Sequence, residues 1–129
     1  MKASLKIAYW APRLLAIASI LFISIFAFDA FDPRYSVIQQ LGNFFLHLIP
    51  SIVLLLILLL AWKKELLGGV MFILVGLIFA IPIYLHNYTV NHFSVGQSLL
   101  TVLIVCLPFT AVGFLFLVSR KLHRKARRR

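Results

Sequence analysis

His47 is the residue from which chemistry would start in this chain. It lies in a long apolar run, with Pro50 beside Ser51 one helical turn further on. An i, i+4 spacing places His47 and Ser51 on one helix face. Polar groups in lipid are costly and turn toward protein or water. Pro50 also frees the Leu46 carbonyl from its helical bond. Together these residues suggest an intramembrane polar site: a proton relay, a ligand contact or a metal ligand. The plainer reading is that neutral His47 bonds a neighbouring helix and sets packing.

A second group consists of Asp29, Asp32, His86 and His92, which the threading derived below gathers at the same face as His47. Carboxylates and imidazoles together suit a divalent transition metal. Their spacing does not. Asp29 and Asp32 share a face only if a helix extends that far, and His86 and His92 fall in a polar loop. These residues are therefore read as loop polarity, with no metal and no cofactor assigned. Asn87-Tyr88-Thr89 in that loop fits a glycosylation sequon. Cys106 is the single cysteine, which excludes an internal disulfide or a dithiol pair, and reads as a small packing residue. No catalytic triad, phosphate loop, paired-carboxylate motif or haem attachment sequence appears, so the expectation is not an enzyme. No carboxylate falls within the second, third or fourth apolar segment, which disfavours drug/proton exchange.

The elements that must position these side chains are membrane helices. No Asp, Glu, Lys or Arg occurs at positions 66–119, 35–62 or 14–28. One bilayer pass takes about 20 residues. The 129 residues are 63% hydrophobic and 12% charged, with mean hydropathy +1.04, against about 25% charged in soluble domains. The expected fold is all-α, a polytopic membrane protein of four transmembrane helices. The spans cover about 10–31, 44–62, 66–85 and 97–119, forming a single domain over 1–119, with a basic tail at 120–129.

Several local features follow. Pro12 fits a first helical turn, Arg13 can snorkel to the interface, and Asp32-Pro33 ends the first helix. Tyr35 to Asn43 is either a short interfacial helix or the early turns of span two. Trp62-Lys63-Lys64-Glu65 predicts a very tight turn and an antiparallel hairpin. Gly69 and Gly76 share a face of span three and would let another helix approach closely. Pro50, Pro82 and Pro108 interrupt three spans, as in broken transporter helices.

The net charge is +10, and its placement is informative. Threading four spans puts all but one of the 13 Lys and Arg on one side, with Arg34 alone opposite. The positive-inside rule then makes both termini cytoplasmic. A cleaved signal peptide competes for the N-terminus, but no A-x-A-like site follows the apolar run. The tail residues Arg120, Lys121, Arg124, Lys125, Arg127, Arg128 and Arg129 are expected to touch anionic lipid headgroups. Nucleic acid is disfavoured because no aromatic residues interleave the charges.

The stretch His47-Leu48-Ile49-Pro50-Ser51, the aliphatic run after it, Ala61-Trp62-Lys63-Lys64-Glu65-Leu66 and Gly68-Gly69 resemble a family of short prokaryotic polytopic membrane proteins classed as a domain of unknown function. The resemblance covers most of the four spans and centres on spans two and three. It implies a small four-helix integral membrane protein in a prokaryotic cell membrane, with no established activity. The Arg-rich tail carries no family role. The expected function is a non-enzymatic accessory or scaffold component that associates with itself or another membrane protein through the glycine face of span three. The alternative is a small oligomeric transporter or channel component with an outer-facing polar cavity around His47.

Overall fold

The computed structural model describes residues 2–129. Among them are four α-helices and no strand: α1 (Ala3–Ile25), α2 (Val37–Lys63), α3 (Glu65–Thr89) and α4 (Val95–Arg127). A 3-10 segment, Phe26–Ala30, extends α1. All four helices are long and apolar enough to cross a membrane.

The helix ends follow from local chemistry. Ser36 and Ser94 begin α2 and α4 with capping boxes. The Gln39 N–H donates to Ser36 Oγ and the Ser36 N–H to Gln39 Oε1, at 3.3 and 3.0 Å. Ser94 and Gln97 repeat the arrangement at 3.2 and 3.0 Å. Each box satisfies two backbone donors that the first turn leaves free. The Ser36 cap also settles residues 35–43: from Val37 on they are the early turns of α2 and not a separate interfacial helix.

Lys64 alone separates α2 from α3, in a conformation that is neither helical nor extended (φ −130°, ψ 77°). A turn this tight forces the two helix ends together. Gly68 answers that demand, because a Cβ there would collide with Ala61. Pro12, Pro50, Pro82 and Pro108 all lie inside continuous helices. Each deletes one helical hydrogen bond, and packing by the neighbouring helices keeps the helix running through it. Pro12 is thus not in a first turn, since α1 starts at Ala3.

Each helix packs on its chain neighbour and α4 closes on α1, which makes an up-down-up-down bundle. The central layer is Ala16, Ile20, Leu54, Ile57, Leu58, Ala61, Phe72, Phe109, Val112 and Phe116. The outer surface is apolar as well: Leu21, Leu56, Ile78 and Leu107 are each more than half exposed. A soluble monomer rarely shows so much contiguous apolar surface. Lipid tails are as apolar as leucine, so these faces suit a bilayer.

The start of α1, the end of α2, the start of α3 and the end of α4 meet at one end of the bundle. Trp10 and Trp62 stand edge to face at 6.2 Å there, and Tyr9 and His123 at 6.1 Å. At the opposite end Phe28, Phe31 and Phe44 cluster at 5.2–6.3 Å. The α4 helix continues unbroken through the basic residues to Arg127. Lys, Arg, Leu and Ala are good helix formers, and cations at a helix C-terminus are favoured by its dipole.

Candidate functional site

The densest polar arrangement in the bundle is centred on Arg13. Its side chain is 1% exposed, and it lies one helical turn past Tyr9 in α1. Its Nη2 donates to Glu65 Oε1 at 3.1 Å, and Nη1 donates to the Tyr9 carbonyl. Ser119 Oγ donates to the same Glu65 oxygen at 3.0 Å. The guanidinium carbon sits 3.5 Å from the Tyr9 ring centroid and 5.3 Å from those of Trp62 and Phe116. A weakly hydrated planar guanidinium suits stacking of this kind, where an ammonium would not. Arg13 is therefore not a snorkelling residue. Glu65 and three aromatic rings hold it inside, and it ties α1 to α3 and α4.

Around this cluster opens a cavity of about 620 Å³, bounded by Tyr9 and Arg13 of α1, Trp62 to Leu67 at the α2–α3 turn, and Arg120, His123, Arg124 and Arg127 of α4. A second recess of about 670 Å³ shares Leu66, Arg120 and Arg124. It continues along Leu117, Lys121, Lys125, Arg128 and Arg129. All seven expected lipid-contact residues line one recess or both. The α4 helix positions the five from Arg120 to Arg127, since residues three and four apart fall on one side of it, and Arg128 and Arg129 follow its end.

His123 Nδ1 lies 2.8 Å from the Ser119 carbonyl, so this nitrogen carries the proton. Its Nε2 is buried without a hydrogen-bond partner, and so is Arg13 Nε. Among the described residues the ion pairs are Arg13–Glu65 and Arg34–Asp32. Apart from Arg13, the cations around the two recesses have no carboxylate within ion-pair distance among the described residues.

His47, Ser51 and Pro50 do not converge. His47 is exposed, and its Nδ1 bonds the carbonyl of Asn43 one turn back at 2.7 Å. Ser51 is buried and receives the Ser24 hydroxyl of α1 at 2.9 Å. Pro50 lines a cavity of about 280 Å³ among all four helices, whose lining includes neither His47 nor Ser51 and is apolar throughout. A helix face is wide enough for His47 and Ser51 to share it and still meet different surroundings. One turn apart, one side chain tilts outward and the other inward.

Asp29, Asp32, His86 and His92 are also not brought together. Among the described residues no three His, Cys, Asp or Glu side chains come close enough to hold a metal. Asp32 is instead gripped by Arg34, at 2.6–3.1 Å from its side chain and 2.9 Å from its backbone N–H. The side-chain bonds first, then the backbone bond, hold the Asp32 carboxyl below its ordinary range. Asp29, His86 and His92 are exposed. His92 adopts a left-handed conformation (φ 55°) in the short link between α3 and α4. The sequon asparagine is committed to the fold. Asn87 is 8% exposed, donates to the Ile83 carbonyl at 2.9 Å, and its Oδ1 accepts from Asn91.

Gly69 and Gly76 do lie at a close helix contact, but inside the chain. A Cβ on Gly69 would sit 2.9 Å from the Gly113 carbonyl oxygen, and one on Gly76 would collide with Thr110. Their partner is α4, so this face is not available to a second protein.

Sequence reasoning missed the Arg13–Glu65–Ser119 cluster, His123 and Gly113. A signal existed for the first. Glu65 is the one acidic residue on the basic side, and the threading alone puts Arg13 at the same level.

Fold and site together define a small four-helix protein with spans fit for a membrane and one strongly basic end. The whole chain, residues 1–129, matches the family described as Domain of unknown function (DUF7670), and the chain belongs to that family. No curated protein and no solved structure matches it.

Proposed function

We propose that the chain is a non-enzymatic accessory membrane protein, embedded as four spans in a prokaryotic cell membrane. Both termini are cytoplasmic, and the basic end lies against the anionic leaflet. The observation that supports this reading most is the charge asymmetry of the bundle. All but one of the 13 Lys and Arg occupy the end where both termini lie. One carboxylate, Glu65, offsets them there. Each such cation near an anionic leaflet contributes about 1 kcal/mol of attraction, and the same bias sets orientation during insertion.

As an accessory component, the chain associates with itself or with another membrane protein through its lipid-facing sides. Gly69 and Gly76 are closed off by α4, so the exposed faces of the helices carry that contact.

Two measurements test the reading. In a Cys106→Ala background, Val90→Cys is expected to react with an impermeant thiol reagent on intact cells, and Ala126→Cys only after permeabilisation. The reverse pattern would overturn the orientation. Cross-linking in native membranes followed by mass spectrometry is expected to yield a stoichiometric partner or a homo-oligomer. Recovery of the monomer alone would overturn the accessory role.

A further inference from the structure

We infer that the cavity over Arg13 is a phosphate-binding site, which takes the phosphate group of an anionic phospholipid or of a small soluble phosphate. The inference rests on the cytoplasmic placement of the basic end proposed above, and goes further by assigning one recess a built site.

Three observations converge on it. The cavity wall carries Lys64, Arg120, Arg124 and Arg127, none of which has a carboxylate within ion-pair distance among the described residues. Its single carboxylate is already engaged, because Glu65 Oε1 accepts from both Arg13 and Ser119. Two nitrogens of lining residues, Arg13 Nε and His123 Nε2, are buried with no partner, and Arg13 is 1% exposed. Of the two, Arg13 Nε is a donor, and a buried unpaired donor costs about 1–3 kcal/mol, so the wall lacks an acceptor beside Arg13. A phosphate supplies several acceptor oxygens and a negative charge to forked guanidinium donors.

Tyr9 and Trp62 at the rim are the ring types that settle at headgroup depth. Basic pockets between membrane helices at the cytoplasmic side suit lipid headgroups in general. The neighbouring recess has a comparable set of cations, but no nine-tenths-buried polar side chain lines it. That difference separates a built site from general attraction, and makes the test possible.

The test uses the purified full chain in detergent, titrated with phosphatidylglycerol or phosphatidylcholine, with bound lipid counted by native mass spectrometry. Two double variants remove equal charge. K64Q/R127Q strips only the Arg13 cavity, and K125Q/R128Q only the neighbouring recess. The inference expects phosphatidylglycerol binding to fall about tenfold or more in the first and about threefold or less in the second. Labelling of Cys106 confirms that both variants keep the folded bundle. Inorganic phosphate is added as a competitor. Displacement at millimolar concentration identifies a soluble phosphate as the ligand, and retention of lipid identifies the phospholipid headgroup. Equal losses in the two variants would overturn the built site while leaving the basic end on the anionic leaflet. No preference for phosphatidylglycerol over phosphatidylcholine, with phosphate binding absent too, would overturn both.

Discussion

Replacing Glu65 with alanine is expected to strand the Arg13 guanidinium. Arg13 is 1% exposed and the Glu65 side chain 18%. Removing one partner of a buried ion pair costs about 3–5 kcal/mol, because the remaining charge is left uncompensated. Glu65 is partly open to water, and Arg13 keeps the Tyr9 carbonyl and three rings. The expected loss is therefore at the low end, about 3 kcal/mol, or more than a hundredfold in the unfolding equilibrium. E65Q keeps an oxygen that Arg13 and Ser119 can both use and loses only the charge, so about 1–2 kcal/mol is expected. R13M/E65L removes both charges among Tyr9, Trp62 and Phe116, and is expected to return close to wild type. The assay needs no engineered probe. Cys106 is the one cysteine and is buried, so its labelling rate in increasing denaturant reports how often the bundle opens. An E65A protein within about 0.5 kcal/mol of wild type, the range of an ordinary surface substitution, would refute the reasoning. So would an R13M/E65L protein less stable than E65A.

The same thiol assay checks four further expectations. Gly113→Ala would place a Cβ 2.5 Å from the Gly69 carbonyl oxygen and force α3 and α4 apart, at a cost of about 1–3 kcal/mol. Gly42→Ala meets nothing within 4 Å inside α2 and is expected to stabilise by about 0.4–1 kcal/mol. Ser36→Ala and Ser94→Ala each remove a capping box and are expected to cost about 1 kcal/mol. His47→Ala loses one bond to its own helix from an exposed position, and is expected to change stability by less than about 0.5 kcal/mol.

The fold was legible because three charge-free runs, two of them longer as helices than a bilayer core is thick, admit few other structures. Both capping boxes were also readable as Ser-x-x-Gln, at Ser36–Gln39 and Ser94–Gln97. They would have fixed two helix starts that hydropathy alone left vague. The start of α1 and the end of α4 were missed for the opposite reason. Hydropathy windows stop at the first charges, whereas Lys and Arg continue a helix readily. The candidate site was legible only in part. The basic residues of the tail stood out as a run, but their arrangement into two recesses did not. The expected polar site at His47 dissolved once α2 turned Ser51 toward Ser24.

The sequence by itself determined the number of helices, their up-down order and the concentration of cations at one end. These depend on local composition and on the alternation of spans, which one chain read in order contains. Only the tertiary structure decided that Arg13 is buried on Glu65 and not snorkelling, that Gly69 and Gly76 meet α4, and that His123 shares a cavity with Tyr9. Those facts depend on how each helix is rotated about its axis. A chain that is apolar on every side has little amphipathic asymmetry to signal that rotation. It is set by the close fit of Gly113 against Gly69 and by the need of one buried charge for its partner.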